Sequence, residues 1–463
     1  MKDEALKSGY SDQMTPRERR AAFSLGSVYA VRMLGLFMIL PVFALYAEDL
    51  AGVTPFLVGM ALGVYGFTQA AFQLPLGMLS DRLGRKPVII GGLVVFTLGS
   101  VLAATADSIH GVILGRALQG AGAVAAALMA LAADLTREEH RAKAMAVIGM
   151  SIGIAFAVAM IGGPVLDRWI GVPGIFWITA ALAVIAIGII AFVVPRPAAV
   201  RFHRDAQTEP ASLGSVLRDG QLLRLDLGIF VLHMSMMANF IVIPPLLVGA
   251  GLPGAQHWLI YLPVLVIAFL AMIPFIIVAE KHRRMKPVFL GAIALLGLAQ
   301  LAYLLVDGLT GLAVALFLYF WAFIVLEASL PSLVAKFAPP DRKGTAMGVY
   351  STAQFLGIFV GGAVGGALAG RFGADGVFWF TSLSVAAWLL VAATMRHPRY
   401  LSSYLLNVGP MDAARARDLV RRLTAVRGVA EAVIAHEEGV AYLKVERHAL
   451  DEQGLREFSA SPA

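Results

Sequence analysis

Gly174-Ile175-Phe176-Trp177-Ile178-Thr179 recurs in the second half of the chain as Gly376-Val377-Phe378-Trp379-Phe380-Thr381. Each copy opens the last long apolar segment of its half, and both run in the same sense. Upstream of each copy, Met145 with its preceding basic residues answers Met347 with Arg342 and Lys343 in nearly the same register. Two similar units in the same orientation are the mark of a parallel internal repeat.

Working outward from the repeat, 59% of the residues are hydrophobic and 14% charged, a balance foreign to a water-soluble globule. The chain up to about His397 divides into apolar stretches long enough to cross a bilayer as helices. They are expected at 20–46, 55–79, 87–106, 110–134, 143–166 and 173–195, then at 222–249, 257–279, 287–306, 311–336, 344–369 and 373–396. None alternates with period two, which disfavours a membrane β-barrel. The expected domains are a six-helix half at 1–195, a polar linker at 196–221, a second half at 222–397 and a soluble module at 402–463.

The net charge of +7 lies in alternate loops and not in one basic stripe, so a nucleic-acid partner is not expected. One set of loops carries Arg17, Arg19, Arg20, Arg82, Arg85, Lys86, Arg137, Arg141, Lys143, Arg196, Arg201, Arg204, Lys281, Arg283, Arg284, Lys286, Arg342 and Lys343. The other set offers only Arg168 and Arg371 beside Glu48, Asp49, Asp107 and Asp307. The positive-inside rule then puts both termini in the cytoplasm of a plasma-membrane protein, the inner membrane in a Gram-negative cell. The first apolar segment is too long for a cleaved signal peptide and reads as a helix.

Two capping boxes are expected, Thr15 with Glu18 before the first helix and Thr136 with Glu139 before the fifth. After Pro398 the composition becomes that of a soluble domain. A strand at 402–407, a helix at 412–425, strands at 429–435 and 440–445 joined across Glu437-Glu438-Gly439, and a helix at 451–458 give a ferredoxin-like order. The chain has no cysteine, so disulfides and thiolate metal sites are excluded.

Gly77-Met78-Leu79-Ser80-Asp81-Arg82-Leu83-Gly84-Arg85-Lys86-Pro87 closely resembles the signature loop of the major facilitator superfamily. Gly77 allows close helix approach, Gly84 a tight turn, and Asp81 a pairing with basic side chains. The resemblance implies that Asp81, Arg82 and Arg85 join Asp134 in a charge cluster that latches the outward-facing state. The matching loop of the second half, 280–287, lacks the glycines and is expected to serve only as positive-inside charge. Arg116, Gln119 and Gly120 resemble a second family motif, with snorkelling of Arg116 toward the outer interface as the alternative. Gly153, Gly162, Gly163 and Pro164 partly match a third, associated with antiporters. Together with Arg32 and the run Leu34 to Pro41, and a trailing domain with Gly428-Val429 opening a strand, the chain looks most like the YajR-type branch of that superfamily, which carries a ferredoxin-like appendix. The fold this implies is an all-α two-times-six helix membrane bundle with a small α+β C-terminal domain. That domain is also similar to heavy-metal-associated modules, but it lacks their Cys-x-x-Cys loop.

Polar residues inside apolar segments mark function or partnership. They are Arg32, Gln69, Gln73, His233, Asn239 and Glu327. Glu327 stands amid Phe323, Ile324, Val325 and Leu326, where a carboxyl is either protonated or paired. It is the expected proton carrier, with Arg32, Arg116 and His233 as possible partners. Gly357, Gly361 and Gly365, four residues apart, signal close helix packing. No P-loop and no constellation for covalent catalysis is present, so neither ATP-driven transport nor an enzyme is expected. The leading expectation is a secondary transporter, a proton-coupled efflux protein driven by the proton gradient without a bound cofactor. Its partners are a small-molecule substrate, lipophilic or weakly polar, and the lipid bilayer. The alternatives are an uncoupled facilitator and a transporter-like sensor signalling through the C-terminal domain, which is also expected to make regulatory contacts.

Overall fold

The computed structural model describes residues 14–196, 208–398, 401–436, 439–446 and 449–459. Ten of its helices are long and apolar enough to cross a membrane. Two of these, Glu138–Gly188 and Lys343–Ala393, have 51 residues each. A straight helix of that length would run about 77 Å, more than twice a hydrocarbon core. Each breaks at a glycine in the left-handed region, Gly171 at φ 66° and Gly373 at φ 67°, and so supplies two crossings. The crossings are α1 (Pro16–Phe37, continued by Leu40–Tyr46), α2 (Pro55–Leu83), α3 (Arg85–Ala104), α4 (Ile109–Ala121, continued by Ala125–Asp134), α5 (138–170), α6 (172–188), α7 (Gly220–Gly249), α8 (Trp258–Glu280), α9 (Met285–Leu305), α10 (Gly308–Phe337), α11 (343–372) and α12 (374–393). Twelve crossings at the expected places make this a membrane helix bundle of two sixes.

Local chemistry sets the ends. The Thr15 hydroxyl accepts from the Glu18 N–H at 3.2 Å while the Thr15 N–H donates to Glu18 at 2.8 Å, and Pro16 opens the helix. The second expected box does not form. Thr136 is buried and turns its hydroxyl back to the Ala132 carbonyl at 2.6 Å, so α5 starts one residue later with Arg137 as an N-cap whose side chain does not cap the helix and bonds Glu18 instead. Gly84, at φ 91°, ends α2 and begins α3 without an intervening loop. Of the basic residues expected in the linker, Arg201 and Arg204 lie outside the described residues. The described part of the linker docks on the second half: the Glu209 N–H donates to Thr345 at 2.9 Å and the short helix Pro210–Val216 follows.

Backbone contact between α2 and α11 joins the halves. A Cβ on Gly59 would lie 2.0 Å from the Gly362 carbonyl oxygen, and one on Gly66 would lie 2.4 Å from that of Phe355. Gly357 and Gly361 make the same kind of approach within the second half, to Phe230 and Met234 of α7. The four-residue glycine spacing is therefore a packing device.

Beyond the bundle, β1 (Ser402–Asn407), α13 (Ala413–Ala425), β2 (Val429–Ala435), β3 (Val440–Val445) and α14 (Glu452–Arg456) form a small α+β domain with an antiparallel sheet in the order β1-β3-β2. Leu406, Leu423, Leu443, Val445 and Leu455 close its core on one sheet face. On the other face Tyr442 and Lys444 are also buried, because β2 and β3 lie against the turn Pro340–Arg342 that follows α10. Lys444 Nζ donates to the Lys336 carbonyl at 2.8 Å.

Candidate transport and coupling site

Arg85 gathers the signature loop. Its Nε donates to Asp134 at 3.0 Å and its Nη1 to Ser80 at 2.7 Å, and it also pairs with Asp81. The Arg85 and Asp134 side chains are 1% and 0% exposed. Asp81, Arg85 and Asp134 are thus brought together as expected, on α2, α3 and α4 of the first half. Arg82 is exposed and stands apart from the cluster. A Cβ on Gly77 would come 3.1 Å from that of Ala126 on α4, so the glycine sets the α2–α4 spacing.

The antiporter-like motif divides. Gly163 abuts the interruption of α1, where a Cβ would be 2.3 Å from the Met38 carbonyl oxygen, while Gly153 and Gly162 face open space. Pro164 is buried beside Gly163.

Two guanidinium groups lie wholly buried in the first half. Arg32 Nη2 donates to Gln69 at 2.8 Å and to the Tyr65 hydroxyl at 3.1 Å. Arg116 Nη1 donates to Gln119 at 2.7 Å, its Nε reaches the Ala61 carbonyl at 3.4 Å, and its charge stands 5.0 Å over the Tyr65 ring. Gln119 passes the bonding on to Ser100 at 2.8 Å. Arg116 therefore does not snorkel, because it is enclosed by side chains and a carbonyl. Neither arginine meets Glu327, and that part of the expected grouping is corrected: both are committed around Tyr65, in the other half.

Glu327 has a different partner. Residues 320, 323 and 327 of α10 share one helical face. Phe320 and Phe323 meet Phe156 of α5 across the interface, with ring centroids 6.1 and 6.0 Å apart. Glu327 thus faces the space between the halves. His233 Nε2 lies 3.8 Å from its Oε2, and the Glu327 side chain is 38% exposed where Phe320 and Phe323 are sealed. His233 Nδ1 contacts the Ile229 carbonyl at 3.3 Å, and the Gln354 amide nitrogen lies 2.8 Å from Nε2. An amide nitrogen only donates, so with the amide in this orientation Nε2 is the acceptor and Nδ1 carries the hydrogen, the tautomer of a neutral ring. Asn239 lies about 9 Å further along α7, buried, and does not join the pair.

The sequence reading missed the residues that connect these groups. Tyr65 spaces the two arginines. Gln354 and Ser351, one turn apart on α11, touch His233 and, at 3.4 Å, Gln73 of the first half. Asp226 of α7 is buried with one carboxylate oxygen unpartnered among the described residues, and Tyr350 lies within reach of the charges of both Asp226 and Glu327. Asp226 carried a legible signal, an acid inside an apolar helix. The others did not, because a tyrosine, serine or glutamine is informative only once its face is known.

The Major Facilitator Superfamily model matches residues 25–362 and, in a second match, 225–407. The inner membrane transport protein YajR of Escherichia coli is 48% identical over 437 residues, covering 94% of this chain and 96% of that protein. The multidrug resistance protein MdtH of Proteus mirabilis is 26% identical over 343 residues, 72% of this chain and 82% of its own. The human organic anion transporter MFSD10 superposes with a TM-score of 0.62 over 82% of this chain and 100% of its own, at 20% identity, a likeness of fold alone.

Proposed function

The chain belongs to the Major Facilitator Superfamily, and we propose that it is a proton-coupled exporter of a small lipophilic or weakly polar molecule, working by alternating access with both termini in the cytoplasm. Membership makes it a multi-pass membrane transporter and not an enzyme. The coupling rests on one observation, the carboxyl of Glu327 facing the interface 3.8 Å from His233 Nε2. One proton added to this pair converts it into a hydrogen-bonded ion pair or a neutral acid. The local charge therefore changes where the halves meet. Closing the halves around the pair would remove it from water and alter its hold on that proton, which is the property a carrier needs. The multidrug role named for MdtH supports export as the direction.

The test uses vesicles reconstituted with the full chain, an imposed pH gradient and a lipophilic fluorescent cation as probe. Gradient-driven flux that Glu327→Gln abolishes, with insertion intact, is the expected result, since glutamine keeps the shape but does not titrate. Flux indifferent to the gradient would indicate a facilitator. No flux with any probe would favour a sensor.

A further inference from the structure

Polar groups of the two halves follow one another in a line across the interface. Arg32 Nη2 donates to Gln69 at 2.8 Å, and Gln69 donates to Gln73 at 3.3 Å. Ser351 of α11 donates across the interface to the same Gln73 oxygen at 3.4 Å. One turn on, Gln354 bonds His233 at 2.8 Å, and His233 stands 3.8 Å from Glu327. The line crosses between the halves on α11, the helix whose backbone packs against α2 through Gly362, Gly366 and Phe355.

We propose that Gln354 is a positioning residue that transmits the protonation of His233 and Glu327 to the α2–α11 contact. This rests on the proton-coupled reading above. With the imidazole neutral, Gln354 donates to Nε2. When Nε2 gains a proton it becomes a donor, and the amide N–H and the ring N–H then oppose each other. The amide must rotate to offer its oxygen or withdraw, and Glu327 closes the remaining distance to take the ring proton in a charge-assisted bond. Either movement acts on the face of α11 that carries Ser351, and so on the Ser351–Gln73 bond between the halves. The other titratable groups facing this centre are Asp226 of α7 and Tyr350 of α11, and Arg32 is the permanent charge at the far end of the line. A residue that merely filled space would not need an amide against the imidazole.

Because the chain has no cysteine, spin labels can be placed at Arg196→Cys and Lys281→Cys, exposed positions at the basic ends of the two halves. Double electron-electron resonance on the full chain in lipid nanodiscs, from about pH 5 to about pH 8, reads the opening without any substrate. The expected result is a pH-dependent distance distribution in the parent, flat in Glu327→Gln. Gln354→Leu should reduce the pH-dependent change at least about fivefold, and Ser351→Ala should reduce it with an unmoved midpoint. Gln354→Glu, which accepts from a protonated ring, should raise the midpoint by about one pH unit. If Gln354→Leu does not fold, the other two variants carry the test. A responsive parent whose Gln354 and Ser351 variants all respond like it overturns the role of Gln354 and leaves proton coupling standing. A parent that does not respond to pH overturns both.

Discussion

Glu18, at the start of α1, receives three hydrogen bonds from Arg137, 119 residues away at the entrance to α5: from the backbone N–H at 2.9 Å, from Nε at 3.0 Å and from Nη2 at 3.1 Å. The same carboxylate closes the capping box with Thr15, so one side chain fixes where α1 begins and where α5 enters beside it. Arg137 is 39% exposed, which moderates the strength of the pair. Glu18→Ala is expected to destabilise the bundle by about 1–3 kcal/mol. Thermal unfolding followed by native tryptophan fluorescence checks it, and an unchanged midpoint would show that the pair contributes nothing net.

Packing across the interface predicts a graded response at two sets of glycines. Gly59→Ala and Gly362→Ala place a methyl 2.0 and 2.3 Å from a carbonyl oxygen of the facing helix, and each should cost about 1–3 kcal/mol through forced separation of α2 and α11. Gly91→Ala and Gly149→Ala, which meet nothing within 4 Å, should be neutral or slightly stabilising. Equal behaviour of the two sets in a detergent thermal-shift assay would contradict the packing account.

The cluster around Arg85 predicts a change in equilibrium and not in folding. Asp81→Asn removes one of its two carboxylates and should shift the halves toward opening at the basic end, with transport lowered several-fold. Distances between spin labels across that end measure the shift. A distribution identical to the parent's would remove the latch from the mechanism.

Much of the bundle was legible because hydrophobic length and basic loops act along the chain. A stretch of apolar residues must cross the bilayer whatever its neighbours are, and a parallel repeat doubles every signal. The three strands of the C-terminal domain were equally plain, being set off by Gly428 and Gly439 at positive φ. Partners were harder to read. Nothing near Glu327 points to His233 and not to Arg32, since the choice depends on which helices adjoin and how each is rotated. Thr136 shows the same limit on a smaller scale: its sequence context fits a cap, but a free carbonyl one turn back competes for the hydroxyl and wins.

The C-terminal domain carries its own core and is held to the bundle by one face of its sheet. Deleting residues 402–463 should leave a folded, membrane-inserted body, read as a monodisperse peak in size-exclusion chromatography. Lys444→Ala in the full chain should loosen the domain without unfolding it, seen as faster proteolysis in the connection after Pro398. Loss of all folded protein on truncation would make the domain part of the transporter's core.

Gly171 stands three residues before the first copy of the repeated hexapeptide and Gly373 three before the second, with the same left-handed backbone. The turn is therefore part of the repeated unit, at the same place in both copies. With no loop between them, α5 with α6 and α11 with α12 have no slack at that end of the molecule. Each pair is a bent lever of fixed length, and whatever moves one arm must carry the other. A load applied to α11 is consequently delivered to α12 at once.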